Sequence, residues 1–255
     1  MGPSTRFTEL AGCRVPVQQA PMGSVSTAAL AVAVAEAGGV GSITALGLTA
    51  EQVDNVLAGM TARAAAEAGC DVVAVQGTEA GGHVRGDSPL WPLLESVLGQ
   101  VKVPVLAAGG IGDARAFAAA LAAGAAGVRA GTRFVATAES GAHPAYKQAV
   151  TDAAAGATEI TGAFSVFPLC ATSPRARVLS TCVGALRDLD GEVAGQTTTG
   201  GRRITLPRGH GLPPGTAATG HLDAMPMYAG ESAAAISAVE PAAQIIATWA
   251  AAVRR

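Results

Sequence analysis

Short apolar runs alternate along this chain with alanine-rich stretches of helical period, and that alternation restricts the fold to repeated βα units. Residues 15–20, 39–43, 71–75, 104–108 and 127–130 read as strands, too short for helices and bounded by turn-forming residues. Residues 27–37, 49–60, 62–68, 90–98, 113–123 and the stretch from His143 or Pro144 to about 155 read as helices. Ser26 or Thr27 supplies the first cap, Thr49 precedes Glu51 and Gln52 in a first turn, and Gly69 ends the third helix. Strands linked by helices lie in one parallel sheet, closed as a barrel or open. The helices at 49–60 and 62–68 abut with no strand between them. Beyond residue 156 the regularity stops. Residues 165–232, rich in Gly, Thr, Pro and Arg, read as a long irregular segment: a lid, an arm at a subunit contact, or disorder. A terminal helix is expected over 233–253. The expected organisation is a barrel-like unit over 1–156, with 157–255 packed on the same domain.

Composition narrows the partners. A chain of 255 residues, 49% hydrophobic and 14% charged, can bury a sizeable core and is too apolar for disorder. A net charge of -2 with no Lys/Arg block argues against nucleic acid and anionic membranes, so a small-molecule partner is expected. The amino terminus has no apolar signal core or myristoylation pattern, and no long uncharged apolar stretch reads as a membrane span. A cytoplasmic protein is expected. Cys13, Cys70, Cys170 and Cys182 lack CxxC spacing and read as reduced thiols.

Chemistry collects at the strand ends. The strand at 71–75 runs into QGTEAGGH, residues 76–83, where adjacent glycines open the backbone to a flat or anionic group. His83 adds a side chain that titrates near neutral pH. AAGGIGD (107–113) and RAGTR (129–133) place glycines, and a hydroxyl at Thr132, after the next two strands. Two such loops in succession, with free N–H groups at helix starts, point to a phosphate-bearing cofactor. The GxGxxG fingerprint is absent after the first strand, so a Rossmann site is not indicated. Glu79 reads as a turn carboxylate capping nearby N–H groups. His143, His210 and His221 have no metal-ligand spacing and read as surface or tail residues, so no metal is expected. Arg175 and Arg177 read as part of a solvated segment, with an anionic ligand or neighbouring subunit as the alternative.

APMGSVST (20–27), AEAGGVGS (35–42), QGTEAGGH (76–83), the stretch from PVLAAGGIGD to AGTRF (104–134) and MYAGES (227–232) resemble, in this order, the nitronate monooxygenase family, the former 2-nitropropane dioxygenases. The resemblance implies a TIM barrel carrying FMN and an oxidation of alkyl nitronates or nitroalkanes by O2 to a carbonyl compound and nitrite. It places Ala20, Pro21 and Met22 by the flavin ring, and Gln76, Gly81 and Gly82 along the ring and ribityl side. Gly109, Gly110, Gly131 and Thr132 would hold the phosphate. His83 matches the family's active-site histidine, base toward a neutral nitroalkane or polar partner of the nitronate. Gly230 belongs to a late segment returning to the site, where Glu231 stands at a position often Gln in the family.

In the family, three strands with their helices lie between the counterparts of 49–60 and 62–68; here the two are joined at Met60-Thr61. The missing stretch holds a flavin-contacting Asn and Lys, and neither Lys102 nor Lys147, the chain's two lysines, matches that lysine. Five strand candidates stand where a barrel of this type has eight. The expectation is therefore an incomplete barrel, able to pair its open edge with a second copy in a homo-oligomer. Alternatives are an FMN-dependent NAD(P)H reductase resembling the enoyl-ACP reductases, which share the AGGH signature, and an impaired flavin- or phosphate-binding remnant.

Overall fold

The computed structural model describes residues 4–42, 71–166, 174–199 and 201–253. The helices expected at 49–60 and 62–68, the junction at Met60-Thr61, Cys70 and Cys170 lie outside them. Four of the expected strands form one parallel sheet: β1 (Val17–Gln19), β2 (Val73–Gln76), β4 (Val105–Ala108) and β5 (Gly127–Ala130), in the order β1-β5-β4-β2. Val17 pairs with Val128, Leu106 with Gly127, and Val73 with Val105, so the four carboxyl ends point the same way. The fifth expected strand contributes, among the described residues, a single parallel bridge from Val40 to Gln18.

The helices follow their capping signals. Thr27 accepts the Leu30 N–H at 3.0 Å and opens α2 (Ala28–Glu36). Asp113 accepts the Ala116 N–H at 2.7 Å and opens α4 (Ala114–Ala122), while α3 (Leu90–Leu98) begins after Pro89. A first helix, α1 (Arg6–Ala11), was not foreshadowed by the apolar pattern; its Phe7 is buried and borders Gly127 and Leu106 at the base of the sheet.

The terminal helix is shorter than the apolar run predicts. Pro241, with φ fixed near the helical value but no N–H to continue a preceding turn, divides a 3-10 stretch (Glu231–Ala235) from α8 (Ala242–Ala252). Trp249 of α8 stacks on Phe117 at 5.5 Å and tilts against Phe134 at 6.3 Å. Ile245 and Ile246 join the same core as Val17, Leu30 and Val128, so the end of the chain seals the helical side of the sheet.

Residues 165–232 are more regular than their composition predicts. Together with β6 (Thr158–Thr161) they supply β7 (Ala176–Leu179), α7 (Ser180–Asp188), a hairpin of β8 (Val193–Thr199) and β9 (Arg202–Pro207), and a short β10 (Thr219–Gly220). The threonine run belongs to the segment expected to be irregular; its β-branching suits a strand, and pairing with β9 makes it one. β7 lies between β6 and a two-residue β3 (Gly82–His83), both antiparallel to it. Tyr146 of α6 (Pro144–Thr151), Leu179, Met225 and Ile236 fill a second core beneath this sheet. His210, read as a surface or tail residue, is 2% exposed in this unit.

Candidate active site

Every strand of the parallel sheet delivers a loop to the same edge. Ala20, Pro21 and Met22 follow β1, the octet follows β2, Gly109 and Gly110 follow β4, and Gly131 and Thr132 follow β5 at the start of the short α5 (Thr132–Val135). β4 and β5 are neighbours in register, Ala108 opposite Arg129, so their two glycine loops are adjacent. A methyl added at Gly131 would lie 3.6 Å from Ala20 Cβ and Met22 Sδ, which puts the first loop beside them. Gly109 and Gly110 adopt φ of 115° and 69°, a turn that favours glycine and that folds under Ala80 and Glu79 of the octet. Among the described residues, no protein acceptor takes the backbone N–H of Gly110, Gly131 or Thr132.

The late segment closes over this edge. Gly230 N–H donates to the Thr132 hydroxyl at 3.0 Å, and Glu231 N–H donates to the Glu79 carbonyl at 2.9 Å. Gly81 lies so close that a Cβ there would sit 2.6 Å from Gly230 N, so this approach requires glycine. Glu79 caps α3 as expected: the Leu90 N–H reaches both carboxylate oxygens at 3.0 Å.

His83 follows Gly81 and Gly82 directly in the chain. The Gln76 amide donates to its carbonyl at 2.7 Å, and β3 carries it onto the antiparallel sheet, His83 opposite Ala176. Its ring lies 5.8 Å from that of Tyr228, and it remains accessible to solvent. Desolvation, and after it the positive charge of Arg85, hold the imidazole below its ordinary pKa. The neutral ring therefore dominates at neutral pH, the form able to accept a proton.

Two residues of the site were not legible as such. Tyr228 was visible only as part of MYAGES; its ring flanks His83 and its hydroxyl donates to the Gly211 carbonyl at 2.7 Å. Arg177 is not solvated: it is 9% exposed, donates to the Thr78 carbonyl at 2.7 Å, and meets Glu231 at 3.2 Å. Arg175 does match the solvated reading, pairing at the surface with Asp87 at 2.9 Å. Arg133 of the AGTRF motif points away from any ligand role, holding the Ala136 and Ala238 carbonyls and Glu240. Neither lysine faces the site from a strand end, since Lys102 precedes β4 and Lys147 donates to the Thr137 and Ala138 carbonyls. Among the described residues no cluster of potential ligands could hold a metal ion, Cys13 and Cys182 are free thiols, and no helix is long and apolar enough to cross a membrane.

Parallel βα units with their glycine loops on the carboxyl side define a TIM-barrel-type protein. The nitronate monooxygenase family model matches residues 4–61 and 56–251, and the chain belongs to that family. A probable nitronate monooxygenase of Bacillus subtilis is 42% identical over 107 residues, 39% of this chain and 31% of that protein. Matches to the curated relatives thus span about a third of the relatives' own length. Among solved structures, FabK from Thermotoga maritima superimposes with a TM-score of 0.71 at 25% identity, covering 99% of this chain and 96% of that one. A nitroalkane oxidase from Streptomyces ansochromogenes gives a TM-score of 0.66 at 26% identity, covering 98% of each chain.

Proposed function

We propose that this chain binds FMN at the carboxyl edge of its parallel sheet and oxidises alkyl nitronates, using O2, to a carbonyl compound and nitrite. The observation that carries the reading is the convergence of four strand-end loops and the 229–232 segment on one edge, in a chain of the nitronate monooxygenase family. The donor set suits the phosphate end of the cofactor: N–H groups of the Gly109-Gly110 turn and of Gly131 and Thr132, with a Thr132 hydroxyl whose oxygen already accepts from Gly230 and whose proton is left to donate. Ala20, Pro21 and Met22 would border the ring, with Gln76, Gly81 and Gly82 along the ribityl side. Bound FMN would supply the electron-transfer and oxygen chemistry that side chains lack.

The protein's own residues then have defined tasks. A neutral His83 takes the α-proton of a neutral nitroalkane, or donates to the nitro oxygens of a preformed nitronate. Tyr228 bounds the space beside it. The two-part match to the family model, meeting at residues 56–61, supports the reading that barrel strands between 49–60 and 62–68 are missing. The ring side of the pocket is the side that loses contacts.

The test is anaerobic. The purified protein, incubated with FMN and freed of excess, should be yellow and should bleach on addition of an alkyl nitronate. Bleaching by NAD(P)H, with the colour returning on addition of an enoyl thioester, and no bleaching by nitronate, would replace this reading with the reductase. A protein that stays colourless would leave only a phosphate-binding remnant.

A further inference from the structure

We propose that Arg177 is the positioning residue of this site: its guanidinium fastens the octet loop to the late loop and so sets His83 against Tyr228, with Glu231 as its counter-charge rather than a group aimed at the ligand. Three arms of one side chain reach three segments. Nε donates to the Thr78 carbonyl at 2.7 Å, Nη1 to the Thr158 hydroxyl at 3.0 Å, and Nη2 meets Glu231 Oε1 at 3.2 Å. The side chain is 11% exposed while that of Glu231 is 53% exposed, so the buried, geometry-setting half of the pair is the arginine.

The strand that carries Arg177 holds both rings. Gly82 pairs with Arg177 and His83 with Ala176, Val84 N–H donates to the Arg175 carbonyl at 2.9 Å, and the next residue, Val178, bridges Tyr228. A planar fork that satisfies three directed acceptors is a task lysine cannot perform. The Glu231 carboxylate finds its partner in Arg177.

The effect on turnover rests on the function proposed above; the effect on loop order does not, and the two are measured separately. Amide exchange of the full chain is compared for wild type, R177M, R177K and T158V. R177M should speed exchange at the Val84 and Glu231 amides by about tenfold or more while leaving α4 protected, R177K should not restore protection, and T158V should give a smaller change at the same amides. Unchanged exchange at those amides, or a loss spread evenly over α4 and α8, would overturn the proposal, and T158V decides alone if R177M does not fold. In the flavin-loaded enzyme, R177M should lower kcat on a neutral nitroalkane about tenfold with a small change in KM, and should add little to His83→Ala. Independent, additive losses would also overturn it. If wild type shows no turnover, the function fails and the exchange result still decides the role of Arg177.

Discussion

The role proposed for His83, a base, requires the neutral form that its surroundings favour. Partial desolvation and Arg85 lower its pKa, so the acidic limb of kcat/KM on a neutral nitroalkane should fall below the ordinary imidazole value. His83→Ala should reduce that substrate's kcat/KM by roughly a hundredfold and a preformed nitronate's much less, since only the former has a proton to lose. Equal losses on both would remove the base. His210 titrates for a different reason: it is buried, its Nδ1 accepts the Leu212 N–H, its Nε2 has no partner among the described residues, and desolvation lowers its pKa to about 4. Because the folded value lies below the unfolded one, stability is full above about pH 6.5 and is lost as pH falls toward 4, on the order of 3 kcal/mol in all. His210→Gln should flatten that acid slope in denaturant titrations between pH 7 and 4. An unchanged slope would place the acid sensitivity elsewhere. Gly81→Ala forces a Cβ against Gly230 N and should cost about 1–3 kcal/mol, read as a lowered Tm together with weakened flavin binding.

At the scale of elements, what could be read depended on whether order was local. The βα pattern gave α3 and β5 to the residue, because an apolar stripe and a capping side chain or a flanking proline define such elements from within. The strand-end glycine loops were equally legible, since Gly109 and Gly110 carry the positive φ their turn requires. The antiparallel unit was not. β7 is four residues long and is a strand because of β6 and the distant β3, while β8, rich in threonine, is one because it pairs with β9 across a hairpin. Arg177 was misread for the same cause, as nothing near it in sequence announces Thr78, Thr158 and Glu231. Trp249 carries the complementary lesson, an apolar residue near the end of the chain that proves central to the core. Trp249→Ala should cost about 3–5 kcal/mol, seen as a fall in Tm, because it empties the space between Phe117 and Phe134. A loss below about 1 kcal/mol would mean α8 is peripheral to the sheet.

On the scale of the whole molecule, the edge proposed to bind the cofactor's phosphate belongs to an incomplete barrel. Among the described residues a four-stranded sheet carries the loops proposed for the cofactor's phosphate, while the resemblance implies that the segment bringing an Asn and a Lys to the flavin is missing. Affinity should accordingly come from the phosphate end more than from the ring. Titration of the purified protein with FMN and, separately, with riboflavin, which lacks the phosphate, tests this by fluorescence quenching. Wild type should bind FMN at one site and riboflavin at least about tenfold more weakly, and Thr132→Val should lose about tenfold for FMN with little change for riboflavin. Equal affinity for the two flavins, or no binding of FMN, would contradict the account.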